Sequence, residues 1–355
     1  MKTLSSIIIV VIVLSIVNLS VSYADKNEIK AINFDQTKKP VQIIFDTDMG
    51  NDIDDALALS LLHALQSRSE CRLLAVTISK DNEYAAPFVD IVNTFYGRGN
   101  IPIGVVRKGV TPEDGSYLRP VIKAKKDGKK CYPHKIQSGK DAPEAVHLLR
   151  KVLSQQPDES VVIVQVGFST NLARLLKSKG DTYSPLTGVE LVKKKVRLLS
   201  IMAGAFIDID GKPHAEYNVV MDQASSSFLF DNWPSQIVAS GFEIGLAILY
   251  PAQSIENDYR YVERHPIAQA YCCYLKMPYD RPTWDLASVL YAVRPNRDYF
   301  NLSEPGSIKV DESGFTLFTP KPNGIHRYLI VNKPQIIRVG ELFTTLCSQP
   351  LYIKP

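Results

Sequence analysis

Apolar positions along the chain fall into short continuous runs, separated by longer stretches in which apolar residues recur at helical spacing. Val41–Phe45, Cys71–Ile78, Ile101–Val106, Ser160–Val166, Val196–Met202 and the shorter Ile237–Ser240 are such runs, the pattern of strands buried on both faces. Ala56–Leu65, Ala85–Tyr96, Ala142–Leu153 and a segment beginning at Leu172 have helical spacing. Strand and helix alternate through the first two thirds of the chain. This predicts an α/β fold: an open, mostly parallel, Rossmann-like sheet with helices on both faces. Residues 107–140, rich in Gly, Lys, Pro and Asp, read as a long surface excursion. The region from about 300 to 345 reads as short strands or a hairpin, at Thr316–Thr319 and Tyr328–Asn332. No internal repeat is present.

Residues 1–24 have the form of a secretory signal peptide. Lys2 precedes an apolar core, Ile7–Val17, broken only by Ser15, and Ser22-Tyr23-Ala24 is a small-x-small cleavage site. Asn18 and Ser20 shorten the run below what a spanning helix needs. The mature protein is expected to begin near Asp25, to be exported to the periplasm or medium, and to carry no stable membrane anchor. The remaining residues, 25–355, suffice for one large domain. A net charge of +4 leaves no broad basic surface. The dense stretch Lys123–Lys130 lacks interleaved aromatics and reads as a solvated loop, so no nucleic-acid partner is expected. Five cysteines, Cys71, Cys131, Cys272, Cys273 and Cys347, are too sparse for a disulfide framework, and none has metal-ligand spacing.

The chemistry concentrates after the first strand. Asp46, Asp48, Asp52, Asp54 and Asp55 fall within ten residues, around the turn Met49-Gly50-Asn51 and just before an apolar helix. Capping and helix-dipole effects account for one or two acids at a helix start, not for five, whose mutual repulsion exceeds any capping gain. Ligands of open α/β sheets bind at the carboxyl ends of strands. A divalent cation is the simplest counter-charge, and oxygen-only ligands favour calcium or magnesium over zinc. The spacing matches neither an EF-hand loop nor the D-x-D-x-[TV] pattern of haloacid-dehalogenase phosphatases. Further polar groups follow later strands: Asp81-Asn82, Val166-Gly167 and Met202-Ala-Gly204.

In these segments the sequence resembles the nucleoside hydrolase family, the calcium-dependent N-ribohydrolases. The family's D-x-D-P-G-x-D-D-A stands here as Asp46-Thr-Asp48-Met-Gly50-Asn-Asp52-Ile-Asp54-Asp55-Ala56, with Met49 for Pro and two extra residues before the Asp pair. Its T-x-x-x-x-N loop is similar to Thr77–Asn82, and G-P-L-T-N to Gly167–Asn171. M-G-G-A, A-E-F-N and D-P-x-A-A are similar to Met202–Ala205, Ala215–Asn218 and Asp222-Gln-Ala224, and the late H-D to Trp284-Asp285. The likeness runs in order from about 41 to 290.

The resemblance implies hydrolysis of the N-glycosidic bond of ribonucleosides, releasing base and ribose. It implies a calcium site held by Asp48, Asp55, Asp285 and the Val166 carbonyl, with Asp48 as general base toward a water on the metal. Asp54, Asn82, Glu216, Asn218 and Asp210 would contact ribose hydroxyls, Met202 would pack near the sugar, and Trp284 would line the base pocket. Homodimers or homotetramers are usual among relatives. The lengthened turn leaves Asp52 either a third ligand or a loop residue; Asp54 and Asp55 are favoured because Ala56 and the helix follow them directly. Trp284 stands where many relatives have a His that assists the leaving base, and an indole can only stack or wall the pocket. His214 and His265 are alternative acids, against the commoner packing role. Alternative functions are hydrolysis of another ribosyl conjugate or glycoside, and calcium-dependent nucleoside or sugar binding without turnover.

Overall fold

A computed structural model describes residues 39–351; the signal segment read at 1–24 lies outside them. Strand β1 spans Val41–Thr47, β2 Cys71–Lys80 and β3 Ile103–Val110. A small hairpin, β4 (Lys125–Lys126) and β5 (Lys129–Lys130), precedes β6 (Val161–Gln165), β7 (Val196–Met202) and β8 (Gln236–Ser240). The short β9 (Leu249–Tyr250) and β10 (Arg281–Pro282) pair with each other. β11 (Asn301–Leu302), β12 (Gly306–Val310), β13 (Thr316–Pro320) and β14 (His326–Ile330) complete the set.

The main sheet has the order β13-β12-β14-β8-β7-β6-β1-β2-β3. Every pairing from β14 through to β3 is parallel, and only β11, β12 and β13 add antiparallel ladders at one edge. The expected α/β fold with a mostly parallel sheet is therefore present. The chain starts at β1, moves outward through β2 and β3, then returns to β6 on the other side of β1. The order reverses between β1 and β6, which leaves a crevice at their carboxyl ends.

Period-two alternation divides β1 between two cores. Ile43 and Phe45 face the helices Asp54–Ser67, Ala85–Phe95, Pro266–Tyr274, Trp284–Val293 and Lys333–Cys347. Ile44 faces Ala145–Ser154, Thr170–Lys177, Gly188–Lys195 and Gln223–Asn232. The helix Asp54–Ser67 is buried on nearly all sides, because Trp284–Val293 and Lys333–Cys347 cover the side turned from the sheet. Leu57, Leu59, Leu61 and Leu62 on it are fully buried, each contributing on the order of 2 kcal/mol. That packing brings the starts of two helices together and sets Asp54 and Asp55 beside Asp285.

Three segments differ from the sequence reading. β3 runs to Val110, past the expected Val106. Residues 107–140 are not only a surface excursion: Tyr117, Leu118, Val121 and Tyr132 are buried, and a short helix, Leu118–Lys123, packs beneath the aspartate turn. The region expected as short strands ends in a long helix, Lys333–Cys347, with an Asn332/Gln335 capping box. Its start was masked by Pro334 and its amphipathic face by the preceding β pattern. Among the described residues no helix is long and apolar enough to cross a membrane.

A buried arginine ties one layer of helices together. Arg150 donates to Asp181 at 2.8 and 3.3 Å, to Ser178 Oγ at 2.8 Å, and to the Ser184 and Leu186 carbonyls at 3.0 and 2.8 Å. Removing it leaves the buried Ser184 carbonyl and several half-buried acceptors unpaired. Arg150→Leu is expected to lower stability by about 3 kcal/mol in urea titration; a loss below about 1 kcal/mol would show that the loop 178–186 repacks without it.

Candidate active site at the carboxyl ends of the strands

The crevice is a cavity of about 350 Å³, within the range that holds a small ligand. Asp48, Asn51, Asp52, Asp54 and Asp55 line it from the first turn, Val166 from the end of β6, and Met202 from the end of β7. Glu216, Tyr217 and Asn218 form a second side; Phe242, Tyr274, Arg281, Trp284 and Asp285 complete it. Of the residues singled out in the sequence, Asp48, Asp54, Asp55, Val166, Met202, Glu216, Asn218, Trp284 and Asp285 converge here. Two do not line the cavity. Asn82 spends its amide on the Pro112 carbonyl (2.9 Å), Asp114 (3.2 Å) and the Tyr84 N–H (2.8 Å). Asp210 is exposed on a turn and has a positive φ of 51°.

Local chemistry fixes each acid. Asp46 points down into the sheet and accepts from Thr77 Oγ1 and from Asn171 Nδ2 at 2.8 Å. Thr47 donates to Asp55. Asp48 accepts from Asn51 Nδ2 at 2.7 Å, and the Asn51 Oδ1 in turn accepts from the buried Lys80 Nζ at 2.6 Å. An ammonium only donates, so Lys80 forces the amide of Asn51 to present its N–H₂ to Asp48. Asp54 accepts from the Asp285 N–H at 3.1 Å. Asp52 forms an ion pair with Arg281 and acts on Asp54 through its charge. Gly167 lets β6 approach β1: a Cβ there would lie 2.4 Å from the Asp48 nitrogen.

Glu216 caps the helix Tyr217–Met221 and accepts three backbone N–H bonds, from Gly204 (3.1 Å), Asn218 (2.8 Å) and Val219 (3.2 Å). Asn218 Nδ2 reaches the Val166 carbonyl at 3.1 Å. Oxygen atoms of Asp54, Asp55 and Asp285 lie within 4.8 Å of one another, a set able to hold a metal ion. Trp284 donates its Nε1–H to the Phe242 carbonyl at 2.9 Å. His214 packs against Phe242 at a tilt of 33°, with 4.0 Å between ring centroids. His265 is buried and caps the helix Pro266–Tyr274. Neither histidine lines the cavity. Phe242, Tyr274 and Arg281 carried no signal in the sequence; Asn51 lay in the first turn and Tyr217 within the Ala215–Asn218 motif, neither singled out for a role.

Burial dominates the electrostatics. It pushes the Asp46 carboxyl up to about 7, against hydrogen bonds from Thr77 and Asn171. It raises Asp48 to about 6 and Glu216 to about 7, against their hydrogen bonds. Asp54, Asp55 and Asp285 are held well above the ordinary range, by burial first and by neighbouring carboxylates second, chiefly Asp52 for Asp54, Asp48 for Asp55 and Asp54 for Asp285. Each group binds its proton more tightly folded than unfolded. The stability it contributes is full below its unfolded value and is lost as pH rises through its folded one. Chelator-treated protein is therefore expected to melt at progressively lower temperature as pH climbs from about 5 to about 8. A melting temperature that rises with pH in chelator would refute this charge balance.

The comparisons agree with this geometry. The family model described as inosine-uridine preferring nucleoside hydrolase matches residues 43–326. The chain is similar to the pyrimidine-specific ribonucleoside hydrolase of Citrobacter koseri, 28% identical over 61% of this chain and 63% of that relative. It thus spans somewhat less than two thirds of that relative's length. It is also similar to the solved purine-preferring ribonucleoside hydrolase from Gardnerella vaginalis, with a TM-score of 0.64 and 18% identity over 86% of this chain and 98% of that one. The inosine-uridine preferring nucleoside hydrolase from Bacillus anthracis gives a TM-score of 0.64 and 18% identity over 87% of this chain and 99% of that one. Such identities carry the fold, and the family match spans most of the chain. Fold, ordered motifs and family match together place the chain in the inosine-uridine preferring nucleoside hydrolase family.

Proposed function

We propose that the protein hydrolyses the N-glycosidic bond of ribonucleosides, with calcium at the aspartate cluster and Asp48 as general base. The observation that carries this reading is the convergence of Asp48, Asp54, Asp55, Asp285 and the Val166 carbonyl at one end of an aromatic-walled cavity. The donors fit a hard cation: all are oxygens, and the three mutually close carboxylates are buried together. Asp55, Asp285 and the Val166 carbonyl would hold the ion as the resemblance implies; Asp54, which the resemblance gives to the sugar, is the third carboxylate of the close set, and Asp48 lines the cavity beside it. Bound there, the cation would fix vicinal sugar hydroxyls and lower the pKa of a water.

The chain's own groups supply the rest. Asp48 takes the proton of the attacking water. Its second oxygen is held by Asn51, which keeps the carboxylate from rotating away. Glu216 and Asn218, two residues apart on one side of the cavity, orient ribose hydroxyls. The surrounding carboxylates favour the positive charge that develops on the sugar ring as the base departs. Met202 and Val166 exclude water from the floor. The N-terminal pattern of Lys2, the Ile7–Val17 run and Ser22-Tyr23-Ala24 supports export, and family habit supports a homo-oligomer.

Free-sugar release from a panel of purine and pyrimidine ribonucleosides, with calcium and with chelator, tests the activity. Calcium-dependent release is expected, and no release from any nucleoside would reject it. Asp48→Asn should lower kcat by about a thousandfold while leaving the chelated fold as stable as before or more so, since it removes a buried like charge; wild-type-like kcat would reject Asp48 as the base. Asp285→Ala should weaken calcium binding by at least about tenfold in calorimetry, and unchanged affinity would remove it from the ligand set.

A further inference from the structure

Breaking an N-glycosidic bond leaves an electron pair on the base, and something must stabilise it. Trp284 cannot, because its one N–H is engaged by the Phe242 carbonyl. The histidines lie outside the cavity. Arg281 is the cation among the lining residues, and its geometry is specific. Its Nε donates to Asp52 Oδ1 at 2.9 Å; its Nη2 donates to Asp52 Oδ2 and, at 3.2 Å, to the Tyr274 hydroxyl. Nη1 has no partner among the described residues. The guanidinium carbon lies 5.1 Å from the ring centroids of both Trp284 and Tyr274. One edge of the fork is thus fixed by a carboxylate, the guanidinium lies over both aromatic rings, and the two N–H groups of Nη1 stay free at the aromatic end of the cavity.

We propose that Arg281 activates the leaving base by donating from Nη1 to the 6-oxo oxygen of a purine held at the aromatic end of the cavity, which makes 6-oxopurine ribonucleosides the preferred substrates. The assignment rests on the ribohydrolase reading above. As the C1′–N9 bond breaks, its electron pair passes into the purine and part of the charge reaches O6. The water oxygen bonds to C1′, its proton goes to Asp48, and the base takes its own proton from solvent. A guanidinium keeps its proton in proteins, so Arg281 acts by a fixed hydrogen bond to developing charge rather than as an acid. Adenine presents an amino group at the same position, a donor facing a donor. The lengthened first turn acquires a purpose: it supplies Asp52, which orients Arg281.

The test compares Arg281→Gln with wild type on inosine, guanosine, adenosine and 4-nitrophenyl ribofuranoside, whose nitrophenolate leaves without help. The expected result is a fall in kcat/KM of about a hundredfold on inosine and guanosine, with changes within about threefold on the other two. Equal losses on all four substrates would assign Arg281 a structural role and overturn the proposal, as would a wild-type preference for adenosine over inosine. If melting shows Arg281→Gln unfolded, Arg281→Lys keeps a cation against Asp52 and should show the same split. A wild type that releases no sugar from any of the four with calcium present rejects the ribohydrolase reading itself, a distinct outcome.

Discussion

Like charges buried within a few ångströms of one another are the constraint on which this structure turns. Asp54, Asp55 and Asp285 sit in the interior, where each carboxylate costs several kcal/mol to desolvate. Among the described residues no lysine or arginine forms an ion pair with them. A fold that spends stability in this way must recover it from packing elsewhere, and the almost fully buried helix Asp54–Ser67 does so, clamped between the sheet and two further helices. The acids are held in place by that rigidity, and the site is shaped for a cation before one arrives.

The two cations near the turn leave this cluster unneutralised. Lys80 spends its charge on the amide of Asn51 and the Thr111 carbonyl, steering Asp48 indirectly. Arg281 pairs with Asp52, which is not one of the three close carboxylates. The cavity therefore has a carboxylate end and an aromatic end, with one guanidinium on the aromatic side. That polarity suits a substrate with a hydroxylated sugar at one end and a flat heterocycle at the other.

The β1 turn was legible because its signals are local: an apolar run, a turn, a cluster of acids and a helix within some twenty-five residues. The carboxyl ends of β6 and β7 were legible for the same reason. The long helix Lys333–Cys347 was not, because the strands before it set the reading of the whole region. The buried side of residues 107–140 was hidden by lysines and glycines, although Tyr117 reaches back to the Gly50 N–H and the Asp52 carbonyl. Tyr274 and Arg281 come from a segment with no motif at all, and they enter the cavity only because β10 pairs with β9 beside it.

By itself the sequence determined the alternation of strands and helices, hence a parallel sheet, and the placing of its acids at a strand end, since both follow from periodicity and spacing within a few residues. Only the tertiary structure decided which acid does what. Asp52 and Asp54 are two residues apart, yet one meets Arg281 and the other the Asp285 N–H, partners more than two hundred residues away. The role of a charge is set by what lies within a few ångströms of it, and in a sheet whose chain order reverses beside β1 those neighbours come from distant parts of the chain.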